Sequence, residues 1–302
     1  MASSSLILSS TAIDGYPLLH TTDDWDNWRD SWGNWLVFFV LSLWPQPIGN
    51  LVRRSTNGLT IDWPFWIVVG AMHQVGGGVL IASSKVIQDQ FETRKGGWAV
   101  IGHENLGLFG LILPLHAMVL GLTTLVQTNL LPPRSSKLSK TSSVLIWLCV
   151  AASVASLIAI PLTSKRQLST DGDGWWQWVD LINTYNTIAV VASLFKFIPQ
   201  ILSNHRRQST QGFSMLQVGL DAMCWIIFLS IDITTNRPSA SKSALWSLTA
   251  IMIGGVVGDG VLIWQWWTYR GNRVKVSRQQ MMMDGKVGEE TPLLAKGSRV
   301  YV

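Results

Sequence analysis

PQPIGNLVRRSTNGLT at residues 45–60 and PQILSNHRRQSTQGFS at residues 199–214 are the same phrase written twice. Pro45-Gln46, Asn50, Arg53, Ser55-Thr56, Gly58 and Thr60 recur 154 residues later as Pro199-Gln200, Asn204, Arg207, Ser209-Thr210, Gly212 and Ser214, with no gap in the register. Each copy lies where an apolar run ends in an Arg pair, Arg53-Arg54 or Arg206-Arg207, so one helix end and its polar turn have been built twice. A fixed offset of this kind marks duplication of a structural unit.

The surrounding composition is that of a membrane protein. Of 302 residues, 48% are hydrophobic and only 14% charged, and the apolar residues gather into runs close to the ~20 residues that cross a bilayer core. Seven such runs are expected, at about 34–53, 61–83, 104–129, 143–162, 180–203, 213–233 and 244–269. The predicted fold is therefore an all-α integral membrane protein of seven transmembrane helices. The chain divides into a lumenal segment (1–33), a first three-helix repeat (34–129), a linker and connecting helix (130–162), a second three-helix repeat (163–270) and a cytosolic tail (271–302). The repeats are expected to be parallel, related by an axis along the membrane normal, and duplicated Pro-broken helices of this kind point to transport.

Lysines and arginines orient such a chain because they stay on the cytoplasmic side of short loops. Fourteen lie on the side of Arg53, Arg134, Arg206 and the tail, against eight on the side of Arg29, Lys85, Lys165 and Arg237. The N-terminus is thus placed in the lumen and the C-terminus in the cytosol. A net charge of +5 spread this way reflects membrane topology and gives no reason to expect nucleic acid. Cys149 and Cys224, both within predicted spans, offer no disulfide framework. The first 33 residues lack the pattern of a cleaved signal peptide, and Trp25, Trp28, Trp32 and Trp35 share a helical face that suits a lumenal interfacial segment or belongs to a disordered acidic terminus.

Ionisable groups inside spans mark function, since a charge there costs roughly 3 kcal/mol even on lenient insertion scales. Asp259, between Gly258 and Gly260, is the first candidate for proton coupling, and Asp221 is the second, as a proton or substrate-amine site. Lys196 is the candidate to hold a substrate carboxylate, with Gln200, Asn204 and Gln217 as hydrogen-bonding partners. One buried cation, two buried acids and several amides suit a zwitterion better than a sugar. A structural Lys196–Asp pair is the competing explanation. Asp62 lies where the N-terminal cap of its own helix would sit. The kinks at Pro45-Gln46 and Pro199-Gln200 are candidate hinges, in which each glutamine supplies a donor to the carbonyl that proline leaves unpaired; static kinks are equally compatible with the residues.

These residues resemble the PQ-loop family of small transporters, and within it the cystinosin branch. The likeness rests on the two Pro-Gln copies together with Gly58-Leu59-Thr60-Ile61-Asp62, Leu115-His116-Ala117, Phe195-Lys196-Phe197-Ile198-Pro199-Gln200, Leu220-Asp221 and Gly258-Asp259, in order and spacing over most of residues 34–270. It implies proton-coupled export of an amino acid, L-cystine first, from a lysosome or vacuole to the cytosol, and it makes Asp62 a further substrate-site acid as an alternative to the helix cap. Gly110, Ile67, Ala189 and Gln217 depart from the polar or charged residues that branch carries at these positions, which bears on the substrate. Export of cationic amino acids, or a seven-helix sorting receptor without turnover, are the alternatives. No nucleophile–base pair or metal set is present in the sequence, so neither an enzyme nor a cofactor is expected. His73 and His116 read as helix-to-helix hydrogen-bonding groups, Gly76-Gly77-Gly78 as close helix packing, and Trp264, Trp266 and Trp267 as an interfacial belt. In the tail, Glu289 four residues before Leu293-Leu294 has the spacing of an acidic dileucine signal, which implies a clathrin adaptor as partner beside substrate, protons and lipid.

Overall fold

The computed structural model describes residues 36–87, 90, 108–133, 137–164, 176–234 and 242–270. The tryptophan-rich N-terminal segment and the Glu289, Leu293 and Leu294 signal lie outside the described residues. Among those described, the chain is entirely helical: α1 (36–42), α2 (Pro45–Arg53), α3 (Asp62–Ser83), α4 (Leu108–Leu130), α5 (Lys140–Ser164), α6 (Trp178–Phe195), α7 (Phe197–Arg207), α8 (Met215–Thr234) and α9 (Lys242–Tyr269). This is an integral membrane protein. Asp62–Ser83, Leu111–Leu130, Lys140–Leu162 and Trp178–Arg207 are long and apolar enough to cross a bilayer, and Met215–Ser230 is a shorter apolar helix.

Proline places the two breaks that matter. Pro45 has no N–H to give to the carbonyl of Leu41, which instead takes the N–H of Trp44 at 3.3 Å, and α1 gives way to α2. Pro199 acts alike one repeat later, where α6 yields to α7 across the single residue Lys196. Lys196 keeps right-handed helical dihedrals, φ −50° and ψ −33°, so the chain bends without reversing. Pro114 and Pro161 lie inside α4 and α5.

Both α2 and α7 end in the same cap. Arg54 (φ 50°) and Gln208 (φ 49°) take the left-handed conformation, and the following Ser55 and Ser209 donate back to Asn50 and Asn204 carbonyls at 3.1 and 3.2 Å. The turns that follow place Gly58 and Gly212 at φ 99° and 90°. There the two copies press backbone to backbone: a Cβ on Gly58 would run into the carbonyl of Gln211, and one on Gly212 into the carbonyl of Asn57.

α3 packs against α4 on one side and α6 on the other, and α8 packs against α9. Small residues permit the close approaches that hold helices together without a hydrophobic driving force: Gly70 faces Ala189 and Ala192, Gly77 faces Ile182, and Gly121 faces Ile67 and Val68. The Pro-Gln helices cross over, α2 touching α4 and α8 while α7 touches α3 and α9. Trp63 sits at the centre, edge-on to Phe197 and Phe213 with ring centroids 5.4 and 4.8 Å away. The bonding face of α5 is narrow, and Trp147 and Leu162, each 72% exposed, present the apolar exterior of a helix that meets lipid.

Gly58→Ala and Gly212→Ala are each expected to destabilise the fold by ~2 kcal/mol or more, because a left-handed dihedral and a backbone clash act together. Thermal unfolding of the detergent-purified variants checks this; an unchanged midpoint in either would contradict the turn-to-turn packing.

Candidate functional site

The two copies of the repeated phrase are bonded to each other as well as within themselves. Gln46 Nε2 donates to the carbonyl of Gly212 at 3.2 Å and to Asn50 Oδ1 at 2.7 Å, while its Oε1 accepts the N–H of Ser214 at 2.6 Å. Gln200 repeats the arrangement from the other side: Nε2 donates to Gly58 O and Asn204 Oδ1, both at 2.9 Å, and Oε1 accepts from the N–H and Oγ1 of Thr60, both at 3.0 Å. Arg53 reaches the Gly212 carbonyl at 2.7 Å and Arg207 the Gly58 carbonyl at 2.9 Å. Behind them Asn50 donates to Gln127 and Asn204 to Gln265, and these glutamines donate to the carbonyls of Pro47 and Ile201. The glutamines read from sequence as local patches for the kinks serve the opposite turn instead. Their amides are buried, and a buried amide left without partners is costly, which fixes them there.

This placement bears on two residues expected to hold substrate. Every donor and acceptor position of the Gln200 amide is occupied, and Asn204 is held between Gln200, Arg207 and Gln265. Neither offers a free polar atom to a ligand in this conformation. Asp62 is likewise engaged: Oδ1 accepts the N–H and Oγ of Ser139 at 3.0 and 2.8 Å, and Ser139 continues to Ser142, which takes the indole N–H of Trp66 at 2.9 Å. Asp62 does not cap its own helix; it ties α3 to the linker that begins α5. His73 bonds across to Ser153 of α5 at 3.3 Å.

Lys196, Asp221 and Asp259 form the charged centre. Lys196 Nζ donates to Asp221 Oδ2 at 2.7 Å, with the two side chains 10% and 13% exposed. The ammonium also lies over the rings of Trp63 and Phe197, at 5.1 and 4.8 Å from their centroids, which compensates part of its desolvation. Asp259 is within electrostatic reach of both partners, and it is fully buried with neither carboxylate oxygen hydrogen-bonded. Gly258 lets α9 come this close, since a Cβ there would meet the ring of Phe197 at 2.6 Å. An unpaired carboxylate is the costliest group to hold in such a place, and the neutral carboxyl is the cheaper form.

Beside this centre lies a cavity of about 10 Å³ bordered by Gln46, Trp63, Ile67, Gly121, Thr124 and Gln217, at the lower limit for one water molecule and far below the size of an amino acid. Trp63 Nε1 and Gln217 Oε1 are buried without partners. Sequence patterning singled out Gln217 but not Trp63, whose part as a roof over Lys196 depends on the crossing of α3 and α7. It also missed Gln127 and Gln265; polar residues near the ends of apolar runs were the available signal.

Breaking the ion pair from one side leaves a buried charge alone, which is worse than removing both charges. Lys196→Met is expected to cost about 3 kcal/mol, and adding Asp221→Leu to it is expected to recover much of that loss. Thermal unfolding of the two variants and of Asp221→Leu alone tests this cycle; additive losses would contradict a direct buried pair.

The PQ loop repeat family matches residues 181–239, which contain the second Pro-Gln, Lys196 and Asp221. The chain is 29% identical over 192 residues to a cystinosin homolog of Arabidopsis thaliana, covering 62% of this chain and 64% of that protein. It is 26% identical over 190 residues to a cystinosin homolog of Dictyostelium discoideum, covering 62% and 61%, and 26% identical over 193 residues to cystinosin of Bos taurus, covering 62% and 47%. The match spans less than two thirds of the length of each of these relatives. The chain is thus a membrane protein that matches the PQ loop repeat family over residues 181–239 and is similar over 62% of its length to the cystinosins.

Proposed function

We propose that the chain is a proton-coupled exporter of an amino acid, moving it from the lumen of a lysosome or vacuole to the cytosol. The observation that carries this is Asp259, a fully buried carboxyl without a hydrogen-bond partner, set against the Lys196–Asp221 ion pair. In this account Asp259 carries the coupled proton, and Asp221 is the second proton or substrate-amine site. Lys196 receives the substrate carboxylate when Asp221 is drawn away by the substrate amine, and Gln217 supplies a further acceptor. Gln200, Asn204 and Asp62 act through structure, as their bonding implies.

The seven-span organisation, with repeats over 34–129 and 163–270, is part of the same proposal, as is a lumenal N-terminus. The duplicated bonding of α2 and α7 supports it, and so does the balance of basic residues. In that orientation the Gln46–Gly212 and Gln200–Gly58 contacts close the cytosolic end, and the cavity is too small for substrate, so this conformation is one that must open. Pro45 and Pro199 are the hinges at which α2 and α7 swing. Targeting through Glu289, Leu293 and Leu294, read by a clathrin adaptor, completes the account.

The likeness to cystinosins makes cystine the first amino acid to test, with cationic amino acids second because two acids face one lysine. A two-unit pH difference supplies about 2.7 kcal/mol per proton, roughly a hundredfold accumulation. Cells that carry the Leu293→Ala/Leu294→Ala variant at their surface are expected to take up a labelled amino acid several-fold faster at external pH 5.5 than at pH 7.5. Asp259→Asn is expected to abolish that acid stimulation. Uptake that is indifferent to pH, or ligand binding to the purified protein without any flux, would overturn the proposal, the latter in favour of a receptor.

A further inference from the structure

The duplication permits a comparison of the two halves at the charged centre. α2 and α3 map onto α7 and α8 at the 154-residue offset of the repeated phrase. α4 maps onto α9 through Gln127 and Gln265, which make the same bonds to carbonyls 154 residues apart, Pro47 and Ile201. The counterparts of Lys196, Asp221 and Asp259 are then Ser42, Ile67 and Gly121. Ser42 is buried with its hydroxyl bonded to the carbonyl of Phe39 at 3.0 Å, and Ile67 lies against Gly121, where a Cβ would meet its Cγ2 at 3.0 Å. Where one half carries a cation and two acids, the other carries a hydroxyl, a methyl-bearing side chain and no side chain at all.

This uncharged half is where the cavity lies. Ile67 and Gly121 border it, and the indole of Trp63 stands between it and Lys196, with its ring under the ammonium. Two of the residues that border it carry a buried polar atom without a partner, the Trp63 Nε1–H, a donor, and Gln217 Oε1, an acceptor. A neutral polar group satisfies such a pair. Among the described residues that border it, a second α-ammonium or carboxylate would meet no opposite charge, and an unpaired charge buried there is heavily penalised.

We infer that in the opened conformation the site accepts a substrate with one zwitterionic head and an uncharged side chain, the head on Lys196, Asp221 and Asp259 and the side chain in the pocket that widens between Trp63, Ile67, Gly121 and Gln217. The inference rests on the transport reading for its setting and narrows its substrate: a neutral amino acid fits both halves, whereas cystine brings a second zwitterionic head to the half without charges.

S-Methylthio-L-cysteine and L-cystine separate the cases, since both carry a disulfide and only the second carries two heads. Binding of each to the purified full-length protein is measured by calorimetry at pH 5.5, beside acid-driven uptake of each in surface-expressing cells. S-Methylthio-L-cysteine is expected to bind about tenfold tighter or better, by the penalty on an unpaired buried charge, and Ile67→Asn is expected to narrow that ratio. Equal binding, or tighter binding of cystine, overturns the inference, and so does failure of both compounds to bind. The expected binding ratio without uptake of either compound supports the single-headed site while sinking the transport reading.

Discussion

Two glutamines hold the halves of this molecule together by each reaching the turn that belongs to the other. Gln46 satisfies Gly212 and Ser214, and Gln200 satisfies Gly58 and Thr60. A backbone carbonyl or N–H buried outside a helix must find a partner within the protein, and the two turns supply their unpaired groups where the opposite amide arrives. The left-handed caps at Arg54 and Gln208 and the positive φ of Gly58 and Gly212 follow from that demand. So does the crossing of α2 towards α8 and α7 towards α3, which brings Trp63 over the break between α6 and α7.

The charged centre depends on the same crossing. Lys196 occupies the one residue at which the helix changes direction, three positions before the proline that causes it. Its ammonium is thereby aimed at Asp221 and roofed by Trp63 instead of running along the outside of a straight helix. Asp259 completes the group without entering a hydrogen bond, a state that a protein built only for stability would fill or neutralise. The charge of this centre therefore comes from one half, while the equivalent positions of the other, Ser42, Ile67 and Gly121, carry no ionisable group.

Much of this was legible in the residues. Apolar runs of spanning length placed the helices, and the constant offset of the Pro-Gln phrase announced duplication before any contact was known. Isolated Lys and Asp residues within those runs marked the centre for the simple reason that charge is expensive there. The partners of Gln46 and Gln200 were not legible, because hydrogen bonds between residues 46 and 214, or 60 and 200, are set by how helices cross and not by local pattern. Asp62 shows the same limit. Its place at the start of α3 suggested a cap, yet its bond goes to Ser139, across the whole of α4, a distance in sequence that no window reports.

The proposed transport requires that the lock between the turns open and close, and a covalent bridge across it puts that requirement to the test. In a protein with Cys149→Ala and Cys224→Ala, the pair Asn57→Cys and Gln211→Cys places one thiol on each of the two touching turns. Acid-driven uptake, measured before oxidation, after oxidation and after reduction, is predicted to stop when the bridge forms and to return when it is reduced. Uptake that continues undiminished in fully bridged protein would contradict the account.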